Sequence, residues 1–100
     1  TSGGEDAGPA PHEFLLAALG TCTSMTVKMY ADRKGWPLRA VDVRLTQDKE
    51  GGVHVMKRTI RLEGELDDEQ RARLLEIAGK CPVHKTLTGE VRIDSSLGDA

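Results

Sequence analysis

The sequence predicts a single small α+β domain over residues 1–100, and three observations carry that prediction. Pro11 to Lys34 reads as one long helix whose first half is apolar on every side. Two runs of alternating apolar and polar residues flank a Gly-Gly turn at Gly51 and Gly52. A second helix start, with Asp67 followed three residues later by Gln70, comes after them. A long buried helix packed on an antiparallel sheet is the architecture these pieces compose.

Pro11 opens the long helix, because a missing N–H costs nothing in a first turn; Gly35 closes it, with Pro37 just beyond. A helix that is hydrophobic all round must be buried all round, so this is the expected core helix. Helical spacing lines up Leu15, Ala18, Cys22, Met25 and Met29. That stripe predicts that Cys22 is buried in apolar packing and that Met25 and Met29 fill the core.

Downstream, Val41, Val43 and Leu45 alternate with Asp42, Arg44 and Thr46, the period of a strand with one buried face. After the turn at Asp48 to Gly52, a second run through Val53, Val55, Met56, Ile60 and Leu62 changes phase near Val55-Met56, where a bulge is expected. The next helix has Asp67 as N-cap, Gln70 as capping-box partner, Leu74, Leu75, Ile77 and Ala78 as apolar face, and Gly79 as stop. In Lys80 to Leu87, Pro82 suits the first position of a short helix; Cys81 then sits at its N-cap, where exposed N–H groups favour a thiolate. Val91 and Ile93 suggest a last strand, and residues 95–100 a polar tail. Thr1 to Ala10 has no periodicity, and the missing initiator methionine raises the expectation that the chain starts inside a longer polypeptide.

Composition excludes several function classes. Fourteen basic and sixteen acidic residues give a net charge of −2, which argues against nucleic acid or an anionic membrane surface as partner. No run approaches the roughly 18 apolar residues of a membrane span, and no signal or lipidation motif is visible, so a cytoplasmic location is expected. With 38% hydrophobic residues and one each of Phe, Trp and Tyr, the core is thin. Three short strands cover little of so apolar a helix, so further protein is expected to cover the rest.

Two cysteines are too few for a secreted disulfide scaffold and point to packing, metal binding or redox chemistry. Cys22 and Cys81 lie 59 positions apart, and a bridge between them requires Cα atoms within roughly 7 Å. If they meet, one thiolate can reduce an oxidant and the other can condense with the sulfenic acid; if they do not, both are packing residues. Cys22, Cys81, His84 and His12 could instead be zinc ligands, although a single Cys-x-x-His lacks the second paired half of specific zinc motifs. His54 is expected to be solvated, and Asp67-Asp68-Glu69 to complement a helix dipole. No phosphate-binding glycine loop or serine-nucleophile motif occurs.

Gly8-Pro9-x-Pro11-His12-Glu13-x-Leu15-Leu16-x-Ala18-Leu19-x-x-Cys22, followed by Cys81-Pro82-Val83-His84-x-x-Leu87, resembles the OsmC/Ohr family of osmotically induced and organic-hydroperoxide-resistance proteins. The resemblance implies an OsmC-like fold, an intertwined homodimer with active sites at its interface, and a thiol peroxidase acting on organic hydroperoxides. It makes Cys22 the peroxidatic and Cys81 the resolving residue, with a cellular dithiol as reductant and no metal or organic cofactor. The family's glutamate directly follows the proline that opens the long helix; here that position is His12 and Glu13 comes next, so both are candidate site residues. Glu13 and Cys22 are separated by about 13 Å of helical rise and half a turn, so they cannot pair within one helix. A thiolate partner for Cys22 is therefore expected from a second subunit, from chain before Thr1, or from a basic side chain such as Arg58 or Arg61. The family's N-terminal strands, one of which supplies an arginine, are not in this sequence. The alternative is an OsmC-like module without peroxidase activity, a small-molecule binder or an appended domain.

Overall fold

A computed structural model describes residues 11–98 of the chain. In order it contains α1 (Pro11–Lys34), β1 (Leu38–Glu50), β2 (Val53–Gly64), α2 (Asp68–Ala78) and α3 (Pro82–Thr88). This is the expected α+β arrangement, a long helix lying on an antiparallel pair of strands. The strands pair from Leu38 opposite Gly64 to Glu50 opposite Val53. Gly51 and Gly52 close the hairpin at φ of +57° and +82°, the left-handed pair that a tight two-residue turn requires.

The expected bulge at Val55-Met56 is absent: Val55 faces Asp48 and Met56 faces Gln47 in regular register, and the one irregularity lies at Leu38/Ala40. Near the hairpin tip neither face is fully buried, so a change of apolar phase forces no register shift. Gly64 ends β2 at φ +150°, where a Cβ would run into the Pro37 carbonyl.

α1 packs against the hairpin, α2 and α3 along a single stripe, Leu19, Thr23, Val27 and Ala31, at i, i+4 spacing. Val27, Ala31, Leu38, Leu74 and Ala78 make the core cluster. This corrects the expected burial. Leu15, Met25 and Met29 are 39%, 59% and 58% exposed, and Cys22 is half-buried. A helix apolar all round offers its periodicity no preferred side, so the hairpin and α2 decide which face is covered.

α1 also corrects the expectation about membrane spans. By length and composition alone it could cross a membrane, since its threonines, serine and Lys28 dilute the apolar run without making it polar. Its Leu19–Ala31 stripe, packed on the hairpin and α2, is that of a core helix.

α2 begins as expected. Asp67 Oδ1 accepts the Gln70 N–H at 2.7 Å while Gln70 Oε1 accepts the Asp67 N–H at 2.9 Å, a complete capping box, and Gly79 caps the other end. The Arg71 guanidinium donates to the carbonyls of Leu62, Gly64 and Leu66 and ties the helix start to the end of β2. Leu74, Ile77 and Ala78 are buried, but Leu75 is exposed and borders a cavity.

The expected last strand does not form. The chain after α3 is irregular, and Val91 and Ile93 are exposed. Two alternating apolar residues are too short a run to hold an extended segment by themselves. The glycine- and proline-rich approach at 1–10 lies outside the described residues, as does the end of the polar tail.

Candidate active site

Cys22 sits midway along α1, and Cys81 is the N-cap of α3, with Pro82 at the first helical position. The Cys81 sulfur accepts the backbone N–H of His84 at 3.3 Å, the role that a serine or aspartate oxygen plays at most helix starts. Cys81 is fully buried. The two cysteines meet: the Cys81 side chain is close enough to the Cys22 thiol to act on its titration.

Burial pushes the Cys22 thiol up, but hydrogen bonds from the Cys81 side chain, the Val83 backbone and the Thr26 side chain outweigh it. Cys22 therefore titrates below its ordinary value of 9.0. Its exposed side faces a shallow groove of about 560 Å³, lined by Ala17, Ala18, Thr21, Met25, Met29 and Pro82. Ala18, Met25 and Met29, expected to be core, are thus the wall of a groove at the Cys22 sulfur.

Behind this pair stands Arg58 of β2. Its Nη1 donates to Thr23 Oγ1 at 3.0 Å and its Nη2 lies 3.1 Å from His84 Nδ1. Arg61, the other basic candidate, is exposed on the opposite face of β2. His12 and Glu13 are in the first turn of α1, both exposed, about 13 to 15 Å of helical rise from Cys22. His12 stacks on His54 with ring centroids 5.2 Å apart. His54 is exposed as expected and also lies 3.1 Å from Gln47 Oε1.

The structure thus joins Cys22 to Cys81 and leaves His12 and Glu13 apart from them. His12, His54, His84 and Arg58 instead border a separate cavity of about 760 Å³ with an apolar floor that includes Leu15, Leu19 and Leu87. Among the described residues no group of three or more His, Cys, Asp or Glu is arranged to hold a metal ion, so the Cys22, Cys81, His84 and His12 set is not gathered.

Sequence reading missed Thr23 and Thr26. Their spacing around Cys22 was visible, but which of them faces the sulfur depends on the face α1 buries. His84 was legible in Cys-x-x-His, though as a metal ligand.

A family model described as OsmC-like protein matches residues 3–96. The chain belongs to the OsmC-like family. No curated protein matches it in sequence. Two solved structures share its fold. An OsmC-like hydroperoxide resistance protein from Jannaschia sp. CCS1 superposes with a TM-score of 0.67 at 26% identity, covering 100% of this chain and 74% of that one. An OsmC-like protein from Mycoplasma pneumoniae superposes with a TM-score of 0.70 at 20% identity, covering 82% of this chain. The OsmC-like domain spans 64% of the Mycoplasma chain's length.

Proposed function

We propose that this OsmC-like domain is a thiol peroxidase that reduces organic hydroperoxides, with Cys22 peroxidatic and Cys81 resolving. The single observation that carries the reading is the meeting of their side chains at the wall of an apolar groove. The name of the Jannaschia relative supports it. The Cys22 thiolate attacks the terminal oxygen of the hydroperoxide, the O–O bond breaks, and the alcohol leaves with a proton while Cys22 becomes a sulfenic acid. The Cys81 thiol condenses with that sulfur, releasing water and forming the Cys22–Cys81 disulfide. A dithiol then takes up the oxidation as its own disulfide and restores both thiols.

The active unit is a homodimer in the cytoplasm, where a dithiol pool is maintained. The exposed apolar face of α1, with Leu15, Met25 and Met29, supports the dimer. In this reading His12 and Glu13 contribute across that interface. The groove favours bulky organic hydroperoxides over hydrogen peroxide, because apolar burial contributes roughly 25 cal/mol per Å² of substrate covered.

Stopped-flow consumption of cumene hydroperoxide and of hydrogen peroxide, with dithiothreitol as reductant, tests this. Cys22→Ser should abolish turnover. Cys81→Ser should allow one round and trap a sulfenic acid at Cys22, detectable by dimedone labelling and mass spectrometry. Full activity in Cys22→Ser, or sulfenic acid at Cys81, reverses the assignment. A wild type inactive toward both peroxides supports the second reading, an OsmC-like module without peroxidase activity. One observation favours that reading: among the described residues the groups that act on Cys22 are a thiol, a hydroxyl and a backbone amide, none of them a cation.

A further inference from the structure

We propose that Arg58 and His84 form a latch that positions Cys81 against Cys22, so that a contact between β2 and α3 sets how readily the two sulfurs join. The inference rests on the reading of these cysteines as a redox pair.

α3 is seven residues long, under two turns, and none of its residues is fully buried. So short a helix is not stable by itself. Its position depends on what ties it down at its start, where Cys81 is. The burial of Cys81 and the Val83 backbone acting on Cys22 tie it to α1; a further polar tie, to β2, runs through His84. The backbone N–H of His84 donates to the Cys81 sulfur at 3.3 Å, while its ring meets Arg58 at 3.1 Å. His84 is therefore held at both ends, by the sulfur and by β2.

A guanidinium only donates, so Nδ1 of His84 is the acceptor and the ring carries its proton on Nε2. The second arm of Arg58 reaches Thr23, the residue next to Cys22, at 3.0 Å. Thr23 is fully buried, and its hydroxyl in turn donates to the Leu19 carbonyl at 2.6 Å, so its oxygen is fixed in the helix. One planar fork thus spans the segment beside each cysteine. Lysine, a point charge on a flexible stem, cannot hold both acceptors in one geometry. Neither acceptor carries a full negative charge, so the contact contributes orientation rather than the neutralisation of a buried ion.

Joining two thiols within a chain depends on how well they are held together, because fixed geometry replaces the entropy of an encounter. Loosening α3 should therefore weaken the disulfide relative to an external one. Arg58 and His84 act as positioning residues, since neither reaches the reacting bond.

The test is exchange with glutathione. The two thiols and one oxidised glutathione give the Cys22–Cys81 disulfide and two reduced glutathiones, and the equilibrium ratio measures how well the sulfurs are held. Arg58→Met and His84→Phe should each lower that ratio tenfold or more, about 30 mV for this two-electron couple. Arg58→Lys should fall between wild type and Arg58→Met. His84→Phe keeps the ring's bulk and the backbone N–H, so it isolates the link to Arg58 and serves where Arg58→Met fails to fold. Circular dichroism and melting temperature identify the folded variants.

A ratio for folded His84→Phe within twofold of wild type overturns the latch, as does a wild type that forms no internal disulfide in glutathione. The exchange needs no hydroperoxide. A wild type inactive on hydroperoxides whose variants still show the tenfold fall keeps the latch and loses the peroxidase reading.

Discussion

Cys22 and Cys81 meet in the fold although 59 positions separate them. They meet because Pro82 starts α3 directly after Cys81, which leaves that sulfur at the helix N-cap, turned toward the middle of α1. Only one sulfur of the pair has access to the groove. That asymmetry suits a division between a sulfur that meets substrate and one that meets only its neighbour.

The depressed titration of Cys22 predicts how alkylation depends on pH. Iodoacetamide modification of Cys22 should have its midpoint below 9.0, and Cys81→Ala should move it upward by removing a donor to the thiolate. A midpoint unchanged by Cys81→Ala contradicts that contact.

The same shift predicts a pH-dependent stability. Between the folded titration point and 9.0, folded Cys22 has lost its proton while the unfolded chain still holds it. Unfolding then takes up a proton, so stability rises with pH through that window and is fully present above 9.0. Urea titrations of wild type and Cys22→Ser across it should diverge in that direction. The gain disappears as pH falls through the folded value.

Leu74 and Leu75 are adjacent in α2, but the first is fully buried and the second is 63% exposed. Leu74→Ala should cost about 2–5 kcal/mol by opening a cavity against Val27 and Leu38. Leu75→Ala should stay within about 0.5 kcal/mol. Equal losses in denaturant melts would show that the wrong face of α2 has been assigned to the core.

At Gly64 a side chain meets a double obstacle, a φ of +150° and the Pro37 carbonyl in the space a Cβ needs. Gly64→Ala should lower the melting temperature well beyond Gly51→Ala, where nothing lies within 4 Å of the added carbon and only the turn conformation at φ +57° is penalised.

The proposed dimer predicts a two-subunit species at micromolar concentration in sedimentation velocity. Met25→Glu together with Met29→Glu should shift it toward monomer by placing charge on the exposed face of α1. A stable wild-type monomer at that concentration removes the dimer from the proposed function.

Short-range chemistry was legible in the sequence because its causes lie within a few residues. The Asp67–Gln70 capping box, the Gly51-Gly52 turn and the Cys81-Pro82 helix start each depend on local backbone groups, and all three formed as read. The motifs around Cys22 and Cys81 likewise sufficed to indicate the family. Tertiary structure decided the rest. α1 is apolar on so many sides that its periodicity could not choose between the Cys22–Met25–Met29 face and the Leu19–Thr23–Val27 face; only the hairpin and α2 packed on it chose the second. Val91 and Ile93 alternate like a strand, yet pairing requires a sheet edge that no local pattern supplies. Arg58 could be named as a basic candidate but not placed, because its two acceptors lie 35 positions before it and 26 after it. Hydrogen bonds across such distances exist only once the hairpin has been laid against α1, and that packing is a property of the whole chain.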